Sequence, residues 1–174
     1  GIINYGSGNI SNIIKAFNKI GVSCGLVEKK KDIIKFEKII LPGVGSAQQA
    51  MKVIKQKKLD LYIKKFNENS NPILGICLGF QLVLKNYEFT KSNNIKCLSL
   101  INGSVKKIEN INVPVPIINW AKLESKDINN MFMRNYSRYY FLTIALFSNK
   151  DNIYWEFNLT NLKSRIVYLL FNKK

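Results

Sequence analysis

Apolar residues in the first two thirds of the chain follow two alternating rhythms. Short β-rich runs, GIIN (1–4), VSCGLV (22–27), KIILP (38–42) and PILGI (72–76), are separated by stretches with helical spacing. In ISNIIKAFNKI (10–20), Ile10, Ile13, Ile14, Phe17 and Ile20 fall on one helical face, and Gly21 follows as a C-terminal stop. SAQQAMKVIKQ (46–56) reads as a second helix. Strand–helix alternation of this kind predicts an α/β fold with a mostly parallel central sheet. Right-handed crossovers would put helices on both faces, giving a three-layer sandwich.

From about residue 95 the texture changes. Two strand-like runs, IKCLSLI (95–101) and SVKKIENI (104–111), are joined at Asn102-Gly103, a turn pair that predicts an antiparallel hairpin extending the sheet. VPVPIINW (113–120) carries prolines that allow only an edge strand or an extended loop. The tail from about 136 is aromatic and β-branched, then reads as helical in LKSRIVYLLF (162–171). There is no internal repeat and no low-complexity linker.

A length of 174 residues suits one domain, and a composition 47% hydrophobic and 22% charged is that of a folded globular protein. No apolar run is long enough to span a bilayer, and the opening GIINYGSGN lacks the form of a secretory signal, so the expectation is a cytoplasmic protein without a membrane partner. Cys24, Cys77 and Cys97 have no CxxC spacing and no histidine to complete a site, which argues against a metal centre or a disulfide framework. No cofactor is expected. The net charge of +16 is nearly all lysine in a background rich in Asn and Ile. Without a nucleic-acid motif or interleaved stacking aromatics, this reads as a solvated surface rather than a nucleic-acid face, with an acidic protein partner as the remaining option.

Three short segments carry candidate chemistry. YGSGN (5–9) follows the first strand, where two glycines admit a ligand's close approach, or simply make a tight turn whose Asn9 or Ser7 caps the following helix. LPGVGSA (41–47) sets Gly43 and Gly45 around Val44 at the end of a strand, where ligands of open α/β sheets collect and backbone N–H groups can face an oxyanion. In GICLGFQL (75–82) a strand runs straight into a helix at Cys77. A sharp elbow there exposes the thiol, the flanking Gly75 and Gly79 relieve crowding, and the helix N-terminus favours thiolate. The N–H of Leu78 would receive the oxyanion, and Gln81, one helical turn on, could contact a substrate. The alternative is a buried cysteine packed as a small hydrophobe.

In this order and spacing the three segments resemble the class I (triad-type) glutamine amidotransferases, and within them the glutaminase subunits of imidazole glycerol phosphate synthase. LSLINGSVKKI (98–108) and VPIINW (115–120) resemble later segments of that family, so the likeness covers roughly 1–122 and leaves 123–174 divergent. The resemblance implies a flavodoxin-like fold and hydrolysis of glutamine to glutamate and ammonia. Cys77 would form a glutamyl thioester, Gly43, Val44, Gly45 and Leu78 would surround the oxyanion, and Gln81 would seat the glutamine. It also implies a heterodimer with a (β/α)8-barrel synthase subunit that receives the ammonia in histidine biosynthesis. A branch that supplies ammonia for amidating surface sugars is the other possible setting.

The family's triad is completed by His and Glu in a QFHPE segment. Its nearest counterpart here, EFNLT (156–160), sets Asn158 and Thr160 at those places, and YFLTI (140–144) has Thr143 for another family histidine. VPIINW likewise has Ile117 and Asn119 for the family's His and Gly. The implied function is therefore a glutaminase subunit impaired in catalysis. The alternatives are a non-catalytic docking protein, a frame-damaged gene product, or an unrelated flavodoxin-like thiol enzyme or binder.

Overall fold

The computed structural model describes residues 1–90, 93–107, 117–121, 123–124, 139–143, 145–148, 156–159 and 165–167, with side chains described for 1–88 and 94–106. In chain order its first part runs β1 (Ile2–Ile3), α1 (Ile10–Lys19), β2 (Leu26–Val27), a 3-10 turn (Lys30–Lys35), β3 (Ile39–Leu41), α2 (Ala47–Gln56), α3 (Leu59–Glu68), β4 (Ile73–Gly75) and α4 (Leu78–Val83). The four strands form one parallel sheet in the order β2-β1-β3-β4. Because β1 pairs with both β2 and β3, the chain reverses its direction of winding between β1 and β3, and the crevice above their C-terminal ends is where such sheets take ligands.

Alternation along the strands divides the sheet into two faces. Ile3, Val27, Ile39, Leu41 and Ile73 join the main core with Ala50, Met51 and Ile54 of α2 and Leu59, Ile63 and Phe66 of α3. On the other face, Ile2, Ile40 and Leu74 share a groove of about 460 Å³ with Phe17 of α1 and with Val22 and Phe36. No residue of α1 is fully buried, although its apolar stripe is the one its spacing predicts. The core is therefore concentrated under α2 and α3.

Local chemistry sets the element ends. Asn9 caps α1 by accepting the N–H of Asn12 at 3.3 Å. The helix closes with Gly21 at φ +73, the Gly21 N–H donating to the Asn18 carbonyl and the Val22 N–H to the Phe17 carbonyl. Val22 thus belongs to the cap, and the strand expected over 22–27 is confined to Leu26–Val27. Ser46 caps α2 through the Gln49 N–H. Between α2 and α3 the chain turns at Lys58, left-handed at φ 56, without a Gly or Pro to announce the break.

The expected hairpin at Asn102-Gly103 is not formed. β5 (Leu84–Thr90) continues directly from α4, and it is β5 that pairs antiparallel with β6 (Asn93–Lys96). Asn102 and Gly103 lie inside β7 (Ile101–Lys107), which runs parallel to β5. Leu84 pairs with Ile101 and Asn86 with Ser104, so β7 carries one residue more than β5 over this interval. Gly103, at φ +146, absorbs that bulge. The dipeptide suited to a turn serves equally well where a strand must gain a residue.

The remaining described strands are β8 (Ile117–Ala121), β9 (Leu123–Glu124), β10 (Tyr139–Thr143), β11 (Ala145–Ser148), β12 (Glu156–Leu159) and β13 (Arg165–Val167). β8 pairs antiparallel with β10, β11 with β7, and β12 with both β9 and β13. Arg165–Val167 is thus strand, where the 162–171 periodicity predicts helix; its β-branched Ile166 and Val167 suit a paired strand as well. Residues 113–116, within the proline-bearing run, lie outside the described residues. Among the described residues no helix is long and apolar enough to cross a membrane.

Candidate functional site

Cys77 stands between β4 and α4 with φ 54 and ψ −117, a conformation L-residues rarely hold. Strain of this kind costs about 1–3 kcal/mol and persists only where neighbours enforce it. Here the enforcement is visible. The Ile76 N–H donates to the Leu41 carbonyl at 3.0 Å, and the Gly79 N–H donates to the Ile76 carbonyl at 2.9 Å. A Cβ on Gly79 would collide with that same Leu41 carbonyl, and one on Gly75 would meet the Phe80 nitrogen at 2.8 Å. Glycines at 75 and 79 let α4 fold back onto β3 and β4, which turns the thiol outward. Cys77 is exposed, not packed as a small core hydrophobe; Cys97 is the buried cysteine.

The loop after β3 lies against this elbow. A Cβ on Gly43 would meet the Tyr5 hydroxyl, the Gly79 nitrogen at 2.9 Å and the Leu78 Cβ at 3.0 Å. From the other side Gly8, at φ +102, presses on Pro42, and its missing Cβ would lie 3.3 Å from the Gly43 nitrogen. The three segments singled out in the sequence therefore meet at one place, the loop of Gly43 between the turn of Gly8 and the elbow of Cys77. Gly45, at φ +86 with open space around it, is needed for its backbone angle. Val44 is 58% exposed.

Tyr5 anchors this arrangement from beneath. Its hydroxyl donates to the Pro42 carbonyl at 2.8 Å in a buried setting. Burial foremost pushes the phenol up to about 12, opposed by a hydrogen bond with Ser7 and reinforced by the charge of the Cys77 thiolate. Tyr87 of β5 is also raised, chiefly by burial, with contributions from Cys97 and Cys77. Neither tyrosine stands out in the sequence as part of the site. Tyr5 is the aromatic of YGSGN, and its role follows only from β1 lying beside β3.

Leu78 is buried, and as the first residue of α4 its N–H has no acceptor within the helix. Gln81 is the one buried polar residue among the described side chains, 7% exposed, and its own N–H donates to the Cys77 carbonyl at 3.2 Å. Asn9, not Ser7, caps α1. Ser7 turns the other way, its hydroxyl donating to the Val44 carbonyl at 2.7 Å and accepting the Val44 N–H at 3.3 Å. Asn158 sits in β12, paired with Arg165 of β13 and Glu124 of β9. Thr160 lies outside the described residues. An exposed thiol next to clustered backbone amides can add to a carbonyl carbon and have the resulting oxyanion stabilised.

The family model "Glutamine amidotransferase class-I" matches residues 1–152, beyond the 122 where the motif resemblance stops. The chain is 38% identical over 122 residues to the imidazole glycerol phosphate synthase subunit HisH of Bacillus cytotoxicus, covering 70% of this chain and 57% of that one. Against the HisH subunit of Staphylococcus epidermidis it is 38% identical over 124 residues, 71% of this chain and 62% of the relative. The chain thus spans about 57 to 62% of the length of these relatives. The HisH subunit of Prochlorococcus marinus is 31% identical over 179 aligned residues, covering 100% of this chain and 82% of its own. A solved structure titled "Crystal structure of glutamine amidotransferase" superposes with a TM-score of 0.62 at 16% identity, over 82% of this chain and 70% of that one, which shows the common fold. By sequence and by fold, the chain belongs to the class I glutamine amidotransferases.

Proposed function

We propose that the chain, a single domain over 1–174, is a glutamine amidotransferase subunit of the type found in imidazole glycerol phosphate synthase, impaired in turnover because it lacks a histidine. Glutamine is the small-molecule ligand, and the site needs no metal or cofactor. Gln81 seats the glutamine, the Cys77 sulfur attacks the carboxamide carbon, and the electron pair displaced onto oxygen is stabilised by the Leu78 N–H and the Gly43–Val44–Gly45 loop. The observation that carries this reading is the strained, exposed Cys77 held against the Gly43 loop by Gly79.

Completing turnover requires a proton for the departing ammonia and an activated water to open the thioester, and a histidine imidazole does both. The sequence contains no histidine, and neither Asn158 nor Thr160 takes up a proton at neutral pH. Loss of such a base lowers the rate by roughly three to six orders of magnitude. The names of the relatives, subunits of imidazole glycerol phosphate synthase, support a second synthase subunit as partner; in this reading that partner is a (β/α)8 barrel bound as a heterodimer in the cytoplasm, with neither nucleic acid nor membrane involved. The missing histidine favours, as a second reading, a subunit that docks on the barrel without making ammonia.

The test is glutamate release from glutamine, with and without the barrel subunit, against a Cys77→Ala control, together with labelling by a glutamine chloroketone. The expected result is selective labelling at Cys77 and no glutamate above the control. A clear excess of glutamate overturns the impairment, and labelling no more selective than with iodoacetamide overturns the glutamine pocket. Capture of the barrel subunit without glutamate release favours the docking reading; failure to capture it removes the partner.

A further inference from the structure

Within β7 the ladder has a gap. Ile101 pairs with Leu84 of β5 and the pairing resumes only at Ser104 with Asn86, while β11 reaches β7 from Ser104 to Lys107. Among the described pairings Asn102 and Gly103 therefore have no partner on either side, although β7 has a strand on each flank. Asn102 is exposed, and Gly103 holds φ at +146. The peptide between them has what an intramolecular attack requires: a side-chain carboxamide in water, a following nitrogen with no Cβ to crowd it, and a backbone that no cross-strand pair keeps extended. Asn69 offers the contrast. It too is exposed and precedes a small residue, but the Ser70 N–H donates to the Asn67 carbonyl at 2.9 Å, which ties up the attacking nitrogen.

We propose that Asn102-Gly103 is a self-modification site, at which the folded chain converts Asn102 to isoaspartate and so loosens the pairing of β5 with β7. The Gly103 nitrogen bonds to the side-chain carbonyl carbon of Asn102, the bond from that carbon to Nδ2 breaks, and ammonia leaves with the proton that the Gly103 nitrogen gives up. Water then opens the five-membered succinimide. Opening at the side-chain carbonyl gives aspartate; opening at the main-chain carbonyl gives isoaspartate, whose backbone runs through the side chain and is one methylene longer. Either product lowers the net charge of +16 by one. The added methylene falls just before Ser104, whose hydroxyl donates to Glu88 Oε1 at 2.8 Å, and Val105, which is fully buried. A strand that already carries one extra residue cannot gain a further backbone atom without moving these contacts. Nothing in this chemistry involves Cys77 or glutamine.

The experiment incubates the whole chain at neutral pH and follows it by ion exchange and peptide mass mapping, with protein isoaspartate methyltransferase as the probe for isoaspartate. Protection of the buried Cys97 from iodoacetamide marks the molecules that remain folded. The expected result is a new species, one charge less positive and about one mass unit heavier, changed at position 102 and accepting methyl groups. It forms in the folded chain faster than any change at Asn69, and it is lost in Asn102→Gln, whose longer side chain closes the ring far less readily. The isoaspartate species, once isolated, unfolds at a lower urea concentration than Asn102→Asp, which carries the same charge on an ordinary backbone. Conversion no faster at 102 than at Asn69, or conversion confined to urea-unfolded chains, overturns the self-modification. Equal urea midpoints for the isolated species and Asn102→Asp overturn the loosening of β5 from β7.

Discussion

Gly79 lies against the carbonyl of Leu41 so closely that no methyl group fits between them. That contact ties the first turn of α4 to the end of β3, and it is where the elbow and the Gly43 loop become one unit. The expected consequence is that Gly79→Ala lowers stability by about 1–3 kcal/mol through overpacking and parts the elbow from the loop. Urea unfolding checks the first effect as a lowered midpoint at unchanged slope, and slower chloroketone labelling of Cys77 checks the second.

The backbone of Cys77 supplies a second prediction. At φ 54 and ψ −117 any side chain pays a conformational penalty that glycine escapes. Cys77→Gly is therefore expected to be more stable than Cys77→Ala by about 1 kcal/mol, the reverse of the order found inside a helix. Equal unfolding midpoints for the two variants would show that the elbow is unstrained.

The three thiols differ in access. Cys77 is exposed, Cys24 half-buried with its thiol directed at the Val22 carbonyl, and Cys97 buried at 5% exposure. Iodoacetamide followed by peptide mass mapping is expected to find Cys77 first, Cys24 later, and Cys97 at least about a hundredfold slower because it reacts only through opening of the core. Early labelling of Cys97 would contradict its placement.

Stability is expected to fall in alkali. Burial pushes the Cys97 thiol from its ordinary 9.0 up to about 11, against the opposing pull of Lys55. Burial likewise pushes the Tyr5 phenol from 10.0 to about 12. In the unfolded chain both groups ionise at their ordinary values, so as pH rises the unfolded state releases its protons first and is favoured. The contribution is complete below 9.0 for Cys97 and below 10.0 for Tyr5, and is lost through about 11 and about 12 respectively. Urea midpoints across this range check the slope, and Cys97→Val is expected to remove its lower part.

What could be read from the sequence traces to glycine. Gly8, Gly43, Gly75 and Gly79 stand where two backbones touch, and a residue without a side chain leaves a mark that needs no partner to be seen. The same reasoning misled at Asn102-Gly103, because a positive φ serves a bulge as readily as a turn, and only the pairing of β5 with β7 decides between them. Ser7 and Tyr5 were not legible as site residues. Their contacts with Val44 and Pro42 span 37 positions and exist only because β1 lies beside β3. The tail resisted for a related reason: Arg165–Val167 pairs with β12, and local periodicity carries no record of such a neighbour.

The strands that carry the three loops are only two or three residues long, Ile2–Ile3, Ile39–Leu41 and Ile73–Gly75, and each loop springs from the very end of its strand. A rung lost anywhere in that ladder moves a loop directly, with no length of regular structure to absorb the error. Thiol geometry and sheet integrity must then disappear at the same point in any titration or melt, so the reactivity of one sulfur atom reports on whether the whole α/β layer is assembled.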